Sequence, residues 1–199
     1  MKIEIDKKSG FILVAVAAIF LAIGIGLNNN FMNHDSDEMM SGMGSNSESE
    51  YSSSDLMFAQ MMIPHHQQAI TMSDLALKIS KNNEVLALAA QIKAAQDPEI
   101  AQMKKWLSAS GSGEMMNHNM GMDGMLSDRE MATLEKATGN NFDKLFLEGM
   151  IAHHQGAIDM LSIISNTSNS EVKQLRENIR KTQTAEIALM KTYLATLPK

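Results

Sequence analysis

The sequence predicts an all-α protein: a four-helix bundle built from two repeated helical hairpins and preceded by an N-terminal hydrophobic helix. Three observations predict it. Residues 55–72 align without a gap with 143–160, and share Asp55/Asp143, Phe58/Phe146, Met62/Met150, Ile63/Ile151, His65/His153, His66/His154, Gln67/Gln155, Ala69/Ala157, Ile70/Ile158 and Met72/Met160. Residues 84–107 align with 171–194, with Leu88/Leu175, Ile92/Ile179, Gln96/Gln183, Glu99/Glu186, Met103/Met190 and Leu107/Leu194 among the identities. Inside both blocks the apolar residues recur at steps of three and four, the period of a helix with one buried face. Two copies are too few for a solenoid and point to one pseudo-symmetric domain made of two halves.

The elements follow in order. Residues 1–27 read as a signal anchor, with a cleaved signal peptide as the alternative. Lys2, Lys7 and Lys8 precede an uncharged apolar run from Phe11 to Leu27, at the short end of the roughly 17–25 residues that a span requires. Gly24-Ile25-Gly26 is the candidate cleavage site. Lysines on the N-terminal side keep that end in the cytoplasm, so the repeats are expected outside it, on the periplasmic or extracellular face, membrane-anchored or secreted. Residues 28–54 are rich in Asn, Ser, Asp, Glu and Met without an apolar period and read as a disordered tether. Residues 55–107 form the first hairpin repeat, 108–142 a Met-rich linker with a short helix, and 143–199 the second hairpin repeat.

Within the first hairpin, Phe58, Met62, His65, Ala69, Met72 and Ala76 form a seam that faces the bundle interior, and Phe146, Met150, His153, Ala157 and Met160 repeat it. His66 and His154 sit about 100° further round, on the flank. Asp55 and Asp143 suit a helix start, where a carboxylate complements the dipole. Pro64 kinks the first helix. Asp97-Pro98-Glu99 looks like a cap and first turn, so the second helix of the first hairpin is expected to break there, and its counterpart with Thr184-Ala185 to run straighter. The polar turns at 80–83 and 166–170 make each pair of helices antiparallel neighbours. Folding each hairpin about its turn sets His65 level with Glu99 and Met62 close to Met103, and sets His153 level with Gln183 and Met150 with Glu186. Ser127-Asp128-Arg129-Glu130 fits a capping box for a short helix that reaches Ala137.

Composition narrows the chemistry. Cysteine is absent, which excludes disulfides and thiolate sites. A net charge of −6 argues against nucleic acid as partner. No order of Ser, His and Asp suggests nucleophilic catalysis, and no enzyme activity is expected. Methionine is abundant at 19 residues. Imidazole with thioether, without cysteine, favours Cu(I), with Ag(I) as an analogue, whereas zinc would recruit more His, Cys or carboxylate. The candidate ligands are Met62, His65, His66, Glu99 and Met103 in the first repeat, and Met150, His153, His154, Glu186 and Met190 in the second. Met72 and Met160, on the seams, and Met115, Met116, His118, Met120 and Met122, in the linker, are secondary candidates. Two other readings remain: a structural or protein-interaction bundle without metal, and a di-iron oxidase. The latter uses Glu from two helices and Glu-x-x-His from two others, and no Glu stands three residues before any of the four paired histidines.

The pattern Asp-x-x-Phe-x-x-x-Met-x-x-His-His-x-x-Ala-x-x-Met, followed by Ile-x-x-x-Gln-x-x-Glu-Ile-x-x-Met-x-x-Trp-Leu, resembles domain-of-unknown-function family 305. Asp55 to Met72 and Asp143 to Met160 match its first half. Ile92 to Leu107 and Ile179 to Leu194 match its second, with Tyr193 in place of Trp. The resemblance covers about 140 residues and implies a ferritin-like bundle. The family includes an extracytoplasmic copper-binding protein implicated in copper resistance. The resemblance therefore implies copper binding through the matched Met and His positions, for copper buffering, transfer or resistance. The expected partners are a metal ion, the membrane through the N-terminal segment, a copper-handling protein, and a second copy of the chain as a homodimer.

Overall fold

The computed structural model describes residues 50–113 and 122–198. The expected N-terminal hydrophobic helix, most of the first tether, and Met115, Met116, His118 and Met120 lie outside the described residues. The described residues contain five α-helices and no strand. These are α1 (Ser53–Ile79), α2 (Asn83–Ala109), α3 (Asp128–Lys136), α4 (Gly139–Met160) and α5 (Ser170–Thr196); a 3-10 turn, Leu161–Ile164, extends α4. Among the described residues no helix is long and apolar enough to cross a membrane.

Side chains from the sequence set the helix starts. Ser52 and Asp55 close a reciprocal capping box on α1, and Ser127 and Glu130 do the same on the expected short helix α3. The Asn82 and Asn169 side chains accept from the first free amides of α2 and α5. Such caps satisfy donors that a helix start leaves without intrahelical partners. Asp143 differs from expectation. Helix α4 begins at Gly139, so Asp143 lies beyond the first turn. Its carboxylate instead accepts a 2.6 Å hydrogen bond from the hydroxyl of Ser80, the residue that ends α1. The second hairpin thereby braces the turn of the first.

Helix α2 runs unbroken through Pro98, contrary to the expected break. A proline removes one intrahelical donor, yet the same helix buries Leu88 and Ile92 before it and Ile100, Met103 and Trp106 after it. Burial on both sides outweighs one lost hydrogen bond of about 1 kcal/mol. Helix α1 likewise carries Pro64 internally.

Packing is closest between α1 and α2 and between α4 and α5, and the two hairpins join mainly through α1 against α4. The core falls into two apolar clusters. In the first, Phe58 and Met62 of α1 meet Met103 and Trp106 of α2, Ala157 and Met160 of α4, and Val172 and Ile179 of α5. In the second, Met72 and Ala76 meet Leu88 and Ile92, Phe142 and Met150, and Met190. The start of α1 thus packs with the end of α4 and the reverse, so the two helices cross antiparallel about a pseudo-two-fold axis.

Replacement of Asp143 by Ala leaves the buried Ser80 hydroxyl without its acceptor. The expected loss is about 1–3 kcal/mol of stability, read as a shift in the urea midpoint of the full chain.

Candidate functional site

Between the two apolar clusters every long helix turns polar. Helix α1 contributes His65 and His66, α2 contributes Gln96 and Glu99, α4 contributes His153 and His154, and α5 contributes Gln183 and Glu186. All are buried except Glu99, which is partly exposed. Helical period explains the arrangement. His65 and His153 occupy the seams that face the bundle axis, where α1 and α4 cross, and their ring centroids stand 3.8 Å apart at 42°. The next residue round each helix faces the neighbour in its own hairpin. His66 Nε2 lies 2.8 Å from Glu99 Oε2, and His154 Nε2 lies 2.7 Å from Glu186 Oε2.

This corrects the expected pairing. Flank histidines, not seam histidines, meet the glutamates, because a seam points across the bundle axis to the other hairpin rather than to its own partner helix. The thioethers bracket the layer. Met62 and Met103 lie in the first cluster with Met160 and Met122, and Met150 and Met190 lie in the second with Met72. The secondary candidates Met72 and Met160 each share a cluster with the opposite repeat's methionines.

The layer is under-satisfied. Both ring nitrogens of His153 and the Nδ1 atoms of His65, His66 and His154 are buried without a hydrogen-bond partner among the described residues. So are both amide atoms of Gln96, Gln183 Oε1 and Glu186 Oε1. A buried unsatisfied polar group costs about 1–3 kcal/mol, and the great majority of such groups in folded proteins are paired. Burial also acts on charge. It pushes the pKa of His65 from 6.5 down to about 3, with a further lowering from the neighbouring His66. Burial, then His65, His154 and His66, hold His153 well below 6.5. Both rings are neutral at pH 7.

A segment invisible to the repeat reading closes one side. Residues 122–127 cross over α1 and α4 as a strap, and the Asp123 carbonyl lies 3.4 Å from His65 Nε2. Gln68 holds the strap by two 2.8 Å hydrogen bonds, donating to the Leu126 carbonyl and accepting from its amide. Met122 is buried in the first cluster. Gly124 adopts φ +83°, and a Cβ on Gly156 would stand 1.9 Å from the Asp123 oxygen. The strap therefore requires glycine at both positions. Gln68 and Gly156 are matched positions of the two repeats, which differ there. The sequence signal was this departure from the repeat: one copy carries the latch and the other the space.

Among the described residues no three of His, Asp and Glu are grouped so as to hold a metal ion. An ion in this layer would need thioether or amide donors beside the imidazoles, and buried Met62, Met103, Met150 and Met190 lie to either side of it.

The profile of DUF305, a domain of unknown function, matches residues 55–194. The structure of a candidate secreted DUF305 protein from Streptomyces coelicolor is similar at TM-score 0.67 and 31% identity, covering 72% of this chain and 93% of that one. A DUF305 fragment from Deinococcus radiodurans matches at TM-score 0.67 and 31% identity, covering 73% and 98%. CopM in its Cu(I)-bound form matches at TM-score 0.61 and 35% identity, covering 71% and 95%. CopM has also been solved in Cu(II)-bound, Ag-bound and apo forms. No curated protein matches the chain.

Two outcomes are expected. The unfolded chain protonates its histidines near pH 6.5, whereas folded His65 and His153 take up protons only at lower pH. Stability of the metal-free chain is thus independent of these groups above pH 6.5 and falls as pH drops from there toward 3. The slope approaches about 1.4 kcal/mol per pH unit for each histidine. Urea unfolding at pH 7 and pH 5 should show this fall, and the His65→Gln, His153→Gln double variant should flatten it. Separately, Gly156→Ala should displace the strap, seen as faster proteolytic cleavage within 122–127 while the helical circular dichroism is retained.

Proposed function

This chain belongs to the DUF305 family, and on that footing we propose that it binds Cu(I) outside the cytoplasm, with Ag(I) as an analogue, and catalyses no reaction. One observation carries the reading: a layer of four buried histidines, five of whose ring nitrogens have no hydrogen-bond partner among the described residues, set between two groups of buried methionines. A purely structural bundle gains nothing from those nitrogens, because apolar residues of similar volume would pack the layer without the desolvation cost. A soft ion repays that cost, and neutral imidazole with thioether is its preferred donor set. Carboxylate-rich di-iron chemistry lacks support, since each hairpin brings a single glutamate to the layer.

The relatives support the same reading. CopM, 35% identical over most of its own length, was solved with Cu(I), Cu(II) and Ag. On this reading the chain buffers copper, transfers it or confers resistance to it. It is tethered to the membrane by residues 11–27, and its Met-rich linkers pass ions to the layer or to a copper-handling partner. The homodimer is an extension of the same reading.

A Cu(I) titration of the full chain against a competing chelator tests it. The His65→Ala, His153→Ala double variant should bind at least about tenfold more weakly than wild type, the usual scale for a disrupted metal site. Equal affinity in the two proteins would sink the assignment of the site to the histidine layer.

A further inference from the structure

Three of the four buried histidines share one hydrogen-bonding arrangement. His66 Nε2 meets a carboxylate oxygen of Glu99, His154 Nε2 meets one of Glu186, and His65 Nε2 meets the carbonyl oxygen of Asp123. In all three rings Nδ1 is buried and has no partner among the described residues. A carbonyl oxygen can only accept, and so can an ionised carboxylate. Each Nε2 therefore carries the ring hydrogen, and in the neutral ring the lone pair sits on Nδ1. Metal-bound imidazoles take this form: one nitrogen ligates while the other donates its N–H to a carboxylate or a carbonyl, which fixes the tautomer and raises ligand basicity.

We infer that the copper-ligating nitrogen of His65, His66 and His154 is Nδ1 in each ring, with no one ion held by all three, and that Glu99, Glu186 and the Asp123 carbonyl are positioning acceptors rather than ligands. The inference rests on the copper reading above and removes two residues, Glu99 and Glu186, from the ligand set that their spacing suggested. It also gives Gln68 a role. By gripping both backbone groups of Leu126, Gln68 fixes the strap that holds the Asp123 carbonyl on His65. Among the described residues His153 has no carboxylate or strap carbonyl within hydrogen-bonding geometry of either nitrogen, so the two repeats present unlike half-sites. The repeated motif thus encodes two equivalent His–Glu pairs, and the strap distinguishes the two seam histidines.

Imidazole nitrogen NMR on the ¹⁵N-labelled full-length chain tests this, with Ag(I) as the probe because it is diamagnetic and does not change oxidation state. In the metal-free protein His65, His66 and His154 should show a protonated Nε2 and a bare Nδ1. On addition of Ag(I) the Nδ1 signals should move while the Nε2 hydrogens stay in place. Loss of those hydrogens with the shift borne by Nε2 would overturn the assignment and leave the copper reading standing. No response from any imidazole nitrogen would overturn both.

Variants supply an independent readout. In Glu99→Gln, Glu186→Gln the amide oxygen still accepts from Nε2 although the charge is lost, so Ag(I) affinity should fall by less than in the alanine pair. In Glu99→Ala, Glu186→Ala the acceptors are gone, and affinity should fall by about 10–100-fold, the usual effect of removing such a partner. An equal fall in both pairs would show the carboxylates to be ligands and would overturn the inference.

Discussion

The contact on which the rest of the structure depends is His65 against His153 at the crossing of α1 and α4. Two neutral imidazoles meet on the axis of an apolar bundle, and their placement dictates what surrounds them. Because the seam residues face each other across the hairpins, the adjacent His66 and His154 must face along their own hairpins, where Glu99 and Glu186 await them. Helical geometry turns two consecutive identical residues into two kinds of site, one shared between the hairpins and one private to each. Everything apolar is displaced above and below this layer, which is why the core is split into two clusters instead of running continuously along the bundle.

The pseudo-two-fold symmetry is broken at one place with physical consequence. A single linker can cross the α1–α4 face only once and in one direction. It lies on Gly156 of the second repeat and is latched by Gln68 of the first. The same crossing gives His65 an acceptor in the strap and, among the described residues, gives His153 none there. Duplication thus supplied the layer, and the join between the copies made its halves unequal. The brace from Asp143 to Ser80 is a second tie between the hairpins, made at the turn end of the first.

Much of this was legible in the sequence. The repeat, its three-and-four period, the cap at Ser127 and the burial of the seam histidines all depend on local spacing, which a helix converts directly into geometry. The histidine–glutamate pairs were half legible. Glu99 and Glu186 were visible as matched residues of the two copies, but a hairpin folded on paper has no second hairpin beside it, and so His65 rather than His66 was set level with Glu99. Pro98 misled for a related reason: proline reports a local cost, whereas the burial of Leu88, Ile92, Met103 and Trp106 on either side is tertiary. The strap was not legible at all. Asp123 acts through its backbone carbonyl, for which no side chain is required, and Gly156 acts by the absence of one. Only the mismatch of Gln68 with Gly156 inside an otherwise matched motif carried a trace of it.

The charge of the layer bears on which ion it suits. Its imidazoles and thioethers are neutral donors, and each hairpin brings one carboxylate, held at the far nitrogen of a histidine. A monovalent ion ligated through the near nitrogen would be balanced, through the ring, by that single carboxylate. A divalent ion would leave one positive charge uncompensated in a layer where His65, His66, His153 and His154 are already fully or almost fully buried. Uncompensated buried charge costs several kcal/mol. Donor softness and charge balance thus favour the same oxidation state, and the second depends on the glutamates neutralising the ion through an intervening imidazole. In that arrangement the carboxylates tune the site from outside the ligand set, and the methionines on either side exclude the water that would otherwise screen them.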